Sequence, residues 1–226
     1  MNTFISHPDE ELPAPVVLIY MDAPGKREEL HDTARRLAAV GYYVMLPNLY
    51  YRDVHDFMLF RDDPASMQRM ADLSSRVTLT NVRADTHALL RYAEADEAAD
   101  STRVACVGYC LGGPFALALA CELEAIRAAA SVHGALFYVD RPDSPHLSFA
   151  PTDAELYVAH GALDEVATPE EIGRLDDDLT KARVVHRIEW YEGCHHGFSF
   201  PQRATYDKPG SERHWERLYS LLRRNL

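Results

Sequence analysis

The chain has 226 residues, 47% apolar and 26% charged, and its 23 basic and 35 acidic side chains give a net charge of −12. Such proportions belong to a folded globular chain and exclude disorder, which requires fewer apolar residues. The acidic balance argues against nucleic acid or an anionic membrane as partner, because both need a basic face, whereas a single pocket of opposite sign is still allowed.

The opening residues, MNTFISHPDEELPAP, lack the basic start and apolar core of a signal peptide. The expected location is therefore the cytoplasm. Pro15–Met21 (PVVLIYM) is short, apolar and β-branched, as a buried strand should be. Glu28–Val40 places Leu30, Ala34, Leu37 and Ala38 at helical spacing, and Gly41 ends it. Tyr42–Leu46 reads as a second strand stopped by Pro47, and Asn48–Pro64 as a long polar and aromatic excursion. Thr80–Glu94 is helical, Arg103–Gly108 a strand, and Gly112–Leu123 a helix of small residues. Ala128–His133, Ala154–His160 and Val184–Tyr191 are further strands. Pro169–Thr180 is a helix capped by Thr168, and Ser211–Arg224 closes the chain.

Alternating strands and helices predict an α/β fold, a mainly parallel sheet with helices on both faces. No linker, repeat or composition shift interrupts residues 1–226, so one domain is expected, as a monomer or small homo-oligomer. In such sheets ligands bind beyond the carboxyl ends of the strands, and the chemistry should lie there.

After Arg103–Val107 comes Gly108-Tyr109-Cys110-Leu111-Gly112-Gly113. G-x-C-x-G between a strand and a helix is a nucleophile elbow with cysteine at its tip. The tight turn leaves no room for side chains two residues to either side, and it sets the sulfur at a helix N-terminus, which favours an anion. The Leu111 N–H can then face an oxyanion. A thiol nucleophile needs a base, and the base an orienting acid. Asp164 follows strand Ala154–His160, and His195 and His196 follow strand Val184–Tyr191, in the order nucleophile, acid, histidine. Glu165 competes with Asp164 for the acid and His195 with His196 for the base.

These motifs resemble the dienelactone hydrolase family. The likeness runs through Pro15–Ile19, Gly41–Val44, Pro47–Tyr50, the Gly-Tyr-Cys-Leu-Gly-Gly elbow, the Asp164 turn and His196-Gly197-Phe198. The resemblance implies an α/β-hydrolase fold, a Cys110-His196-Asp164 triad, and neither metal nor organic cofactor. It favours His196 over His195, because the family histidine precedes a small residue and a phenylalanine. It further implies that Asp22, where the family pattern has Glu, contacts the resting thiol and modulates it, and that Ala23 supplies a second oxyanion N–H. Substrate contacts are expected from Arg69, Tyr109 and Phe198. Phe200 stands where the family has a second arginine and Arg203 comes later, a departure that puts dienelactone itself in question. Tyr50, Tyr51, Phe57, Phe60, His133, Tyr138, Phe198 and Phe200 are candidates for an aromatic pocket.

The implied activity is hydrolysis of a small ester or lactone, anionic substrates included, through a thioester. Two rivals come from other classes. One is a thiol-redox or binding protein that uses Cys110 with Cys106. The other is a metal site at Cys194, His195, His196 and Asp164, which adjacent histidines pointing to opposite sides disfavour.

Overall fold

The computed structural model describes residues 1–10 and 12–226. One sheet of seven strands runs through it in the order β1-β3-β2-β4-β5-β6-β7. The strands are β1 (Thr3–Ser6), β2 (Ala14–Tyr20), β3 (Tyr43–Pro47), β4 (Ala99–Tyr109), β5 (Ile126–Val132), β6 (Glu155–Gly161) and β7 (His186–Tyr191). All neighbours pair in parallel except β1, which runs antiparallel to β3 at the sheet edge. The helices are α1 (Glu28–Ala38), α2 (Pro64–Arg76), α3 (Leu79–Ala95), α4 (Gly112–Glu122), α5 (Pro169–Lys181) and α6 (Lys208–Asn225).

The elements follow from local chemistry. β2 is buried along almost its whole length and can sit only in the middle of a covered sheet. Thr168 accepts from the Glu171 N–H at 3.2 Å and caps α5, with Pro169 at the first turn. Asp207 caps α6 in the same way through the Gly210 N–H at 2.7 Å. α1 buries Leu30, Ala34, Leu37 and Ala38 on one stripe. It meets α6 where Arg36 donates to the Tyr219 hydroxyl and lies 4.2 Å over the Trp215 ring, so the two share a face of the sheet. α4 is buried on nearly every side, which its small residues allow.

Two elements go beyond the sequence expectation. β1 is four half-buried residues with no alternating pattern to betray it. α2 begins where the excursion was expected to end, capped by Asp63 with Pro64 in its first turn. It buries only Ser66 and Leu73, so most of it lies outside the core. Among the described residues no helix is long and apolar enough to cross a membrane.

Candidate active site

Cys110 stands at the end of β4 with φ 49°, a left-handed conformation that non-glycine residues seldom hold without a reason. Its backbone is fixed on both sides. Its N–H donates to the Val132 carbonyl at 3.1 Å, and its carbonyl accepts from the Gly113 and Ala135 N–H groups at 3.0 and 3.3 Å. A Cβ on Gly108 would lie 2.0 Å from the Gly112 carbonyl oxygen, and one on Gly112 would lie 2.2 Å from that of Tyr20. Backbone meets backbone at both points, so only glycine lets the strand, the turn and α4 close this tightly. Leu111 sits at the N-cap of α4, and no described residue accepts a hydrogen bond from its N–H.

His196 spans Cys110 and Asp164. Its Nε2 lies 3.1 Å from Cys110 Sγ, and its Nδ1–H donates to Asp164 Oδ2 at 2.8 Å. Asp164 is buried, and its other oxygen accepts from the Val166 and Ala167 N–H groups. Burial, the largest single influence, would raise the Asp164 carboxyl, but the hydrogen bond and charge of His196 together with the Val166 and Ala167 N–H groups hold it below the usual carboxylate range. Burial likewise works against the His196 imidazolium, yet the bonds to Asp164 and Cys110 prevail and raise its pKa to about 9. An imidazole ring held between a carboxylate and a sulfur can accept, hold and return one proton. The ring of His133 packs edge-on against His196 with centroids 5.3 Å apart. His133 is fully buried with its Nε2 on the Ser199 hydroxyl, and burial pushes its pKa far down, so the neighbour of His196 is neutral.

The competing residues go elsewhere. His195 pairs with Glu165 at 3.1 Å on the surface, and Cys194 is buried with its sulfur directed at Gly210. Cys194, His195 and His196 thus diverge and do not converge on a common point. Cys106 is fully buried with its Sγ 3.4 Å from the Ala116 carbonyl oxygen, and burial raises its thiol strongly. It makes a poor resolving partner for Cys110.

Asp22 is placed differently from the expectation. Its carboxylate is fully buried and accepts from Arg27 Nη1 at 2.5 Å, Arg27 Nη2 at 3.2 Å and Arg203 Nη2 at 2.6 Å. The two guanidiniums occupy both oxygens, so the side chain is a charge clamp and not a ligand of the thiol. Glu29 extends the clamp, since it accepts from Arg27 at 2.6 Å and from the Gln202 N–H at 2.9 Å. The network ties the loop after β2 to the segment that follows His196. Ala23 lies in that first loop with no described acceptor for its N–H, while its carbonyl accepts from the Tyr50 hydroxyl at 2.7 Å. Burial, with Asp22 and Cys110 close by, pushes the Tyr50 phenol well up and keeps it a donor.

The expected substrate contacts also need correction. Tyr109 is only 1% exposed and packs on Phe200 and His133, because the residue before the elbow points back under the sheet. Phe198 is fully buried against Tyr191 and His133. Arg69 lies on the outer face of α2, exposed and without a described partner. Arg27 is a site-network residue that the sequence reading does not single out. The signal for Arg27 was its place five residues after Asp22, within reach of a carboxylate turned back by the Gly25 turn.

The model of the dienelactone hydrolase family matches residues 1–226. A proposed carboxymethylenebutenolidase of Synechocystis sp. is 26% identical over 215 residues, which cover 94% of this chain and 87% of that protein. Among solved structures, a proposed dienelactone hydrolase from Klebsiella pneumoniae superposes with a TM-score of 0.86 at 24% identity, over 97% of this chain and 91% of that one. A dienelactone hydrolase-like promiscuous phosphotriesterase from metagenomic libraries gives 0.77 at 21% identity, over 94% and 87%.

Proposed function

This chain belongs to the dienelactone hydrolase family and is a hydrolase of carboxylic esters or lactones, and from that premise we propose that it works through Cys110 as nucleophile, His196 as base and Asp164 as orienting acid. The observation that carries the reading is the span of His196, 3.1 Å from the sulfur and 2.8 Å from the carboxylate.

His196 takes the thiol proton, and the Cys110 thiolate attacks the acyl carbon. The N–H groups of Leu111 and Ala23, both without described acceptors, are the donors for the tetrahedral oxyanion. When the intermediate collapses, the carbon–oxygen bond of the ester breaks and the alkoxide leaves with the proton from His196. A thioester is left on Cys110. Water then attacks this thioester and gives its proton to His196. The carbon–sulfur bond breaks, the acid departs, and the proton returns to the sulfur. The balance is one ester and one water to one acid and one alcohol. Asp164 stays charged throughout and stabilises the imidazolium. The Asp22 clamp acts at one remove, by holding the loop that presents Ala23.

Hydrolysis of 4-nitrophenyl acetate and of a simple lactone by the wild type and Cys110→Ala tests this. The variant is expected to lose at least ~10³-fold in kcat/KM. Wild-type rates in the variant would overturn the assignment.

A further inference from the structure

We infer that the cavity between α2 and α4 is the binding site for an uncharged aliphatic arm of the ester, and that its walls set chain-length preference. The inference rests on the reading of Cys110 as the attacking atom. The cavity has a volume of about 420 Å³, and its walls include Val77, Leu111, Phe115, Leu136 and Val139.

Two walls tie the cavity to the reacting atoms. Leu111 follows the nucleophile directly and offers the oxyanion N–H, so its side chain flanks any carbonyl bound there. Leu136 follows Ala135, whose N–H donates to the Cys110 carbonyl. It holds φ 70° and remains 51% exposed, an unusual place for a large apolar residue unless something covers it. A third wall comes from α2. Ser74 lines the cavity and faces the Tyr50 hydroxyl, which is bonded to the Ala23 carbonyl. The cavity therefore borders the Cys110–Leu111 turn directly and reaches the Ala23 loop through Ser74 and Tyr50. One cation, Arg141, stands at its edge, and it is engaged by the Ser75 and Val77 carbonyls and by Asp143 at 3.5 Å. What remains for a ligand is mostly apolar surface, the usual character of a small-molecule pocket.

A second cavity, of about 630 Å³, is lined in part by the clamp's Arg27 and Arg203 and also carries the cations Lys26 and Arg61. It suits a substrate carboxylate less well than its composition suggests. Arg27 and Arg203 are held by Asp22 and Glu29. Only Lys26 and Arg61 have no carboxylate partner among the described residues. An uncharged arm in the apolar cavity is thus the favoured fit over an anionic arm in the cationic one.

The test is kcat/KM for 4-nitrophenyl acetate, butyrate and hexanoate, with 4-nitrophenyl hemisuccinate as the anionic comparator. Each buried methylene is worth up to about fourfold in binding. Hexanoate is expected to exceed acetate by at least about tenfold, and butyrate to exceed the hemisuccinate. Ala71→Trp, at an exposed position on the cavity rim, and Leu136→Asn, which places a residue tolerant of positive φ, should each cut the hexanoate-to-acetate ratio at least about fivefold. Equal rates along the series, preference for the hemisuccinate, or an unchanged ratio in both variants would overturn the inference and leave the Cys110 reading intact. Hexanoate turnover by Cys110→Ala would instead remove the reading on which it rests.

Discussion

Asp22 and Asp164 are buried carboxylates, each just beyond the carboxyl end of a parallel strand, and they differ in the company they keep. Asp164 faces one titratable ring, His196, and two backbone N–H groups. Asp22 faces two guanidiniums that never give up their charge. A carboxylate paired with an imidazole shares in a proton that can move. One paired with arginines can only hold position. Strand-end placement alone does not separate an acid able to share a moving proton from one that only holds structure, but the partner's ability to titrate does.

The sharpest way to break the contrast is to neutralise each acid in turn. Asp164→Asn keeps an acceptor for the Val166 and Ala167 N–H groups but loses the charge that stabilises the imidazolium. It is expected to lower kcat/KM for 4-nitrophenyl acetate by ~10²–10⁴-fold, with a smaller effect on folding. Asp22→Asn should do the reverse. It leaves Arg27 and Arg203 facing each other without their shared counter-charge, which should cost about 3 kcal/mol in urea denaturation. Its kcat/KM should fall by no more than about tenfold, as expected of a side chain that acts through the Ala23 loop. A stable Asp22→Asn protein with a thousandfold loss of activity would move Asp22 into the chemistry.

A smaller effect should appear in the pH dependence of stability. The folded pKa of His196 is raised to about 9 despite burial, above the unfolded value of about 6.5. The stabilisation from its pairing is then fully present below pH ~6.5 and is lost as pH climbs toward 9, an effect on the order of 1–3 kcal/mol. Denaturation midpoints measured from pH 6 to pH 10 should show this decline, and His196→Gln should flatten it. The least effect belongs to Arg69→Ala, because the side chain lies exposed on α2. Both kcat/KM, within about twofold, and stability, within about 0.5 kcal/mol, should hold. A large rise in KM for an anionic ester would bring Arg69 back to the substrate.

What the sequence made legible follows the same line. The elbow could be read because its demands are steric and local, as Gly108 and Gly112 pack against backbone within the turn and the adjoining strand β2. The meeting of Asp164 and His196 beside Cys110 could be read because each follows its own buried strand. The Arg27–Asp22–Arg203 clamp could not, since it joins residues 181 positions apart through side-chain reach alone. α2 escaped for a different reason. It lies mostly outside the core, burying only Ser66 and Leu73, and it begins at the end of a stretch that reads as a polar excursion, although Asp63 and Pro64 mark its start. Tyr109 and Phe198 were misplaced because aromatic residues beside such a turn look the same in sequence whether they face a pocket or the core beneath it.

The central claim is that the acyl group passes through the Cys110 sulfur. Rapid acid quenching during turnover of 4-nitrophenyl acetate, followed by peptide mass spectrometry, tests it most directly. The account predicts one acetyl group on the peptide carrying Cys110, formed with the burst of 4-nitrophenol and absent from Cys110→Ala. A burst with no adduct on that peptide, or an adduct on a different residue, would contradict it.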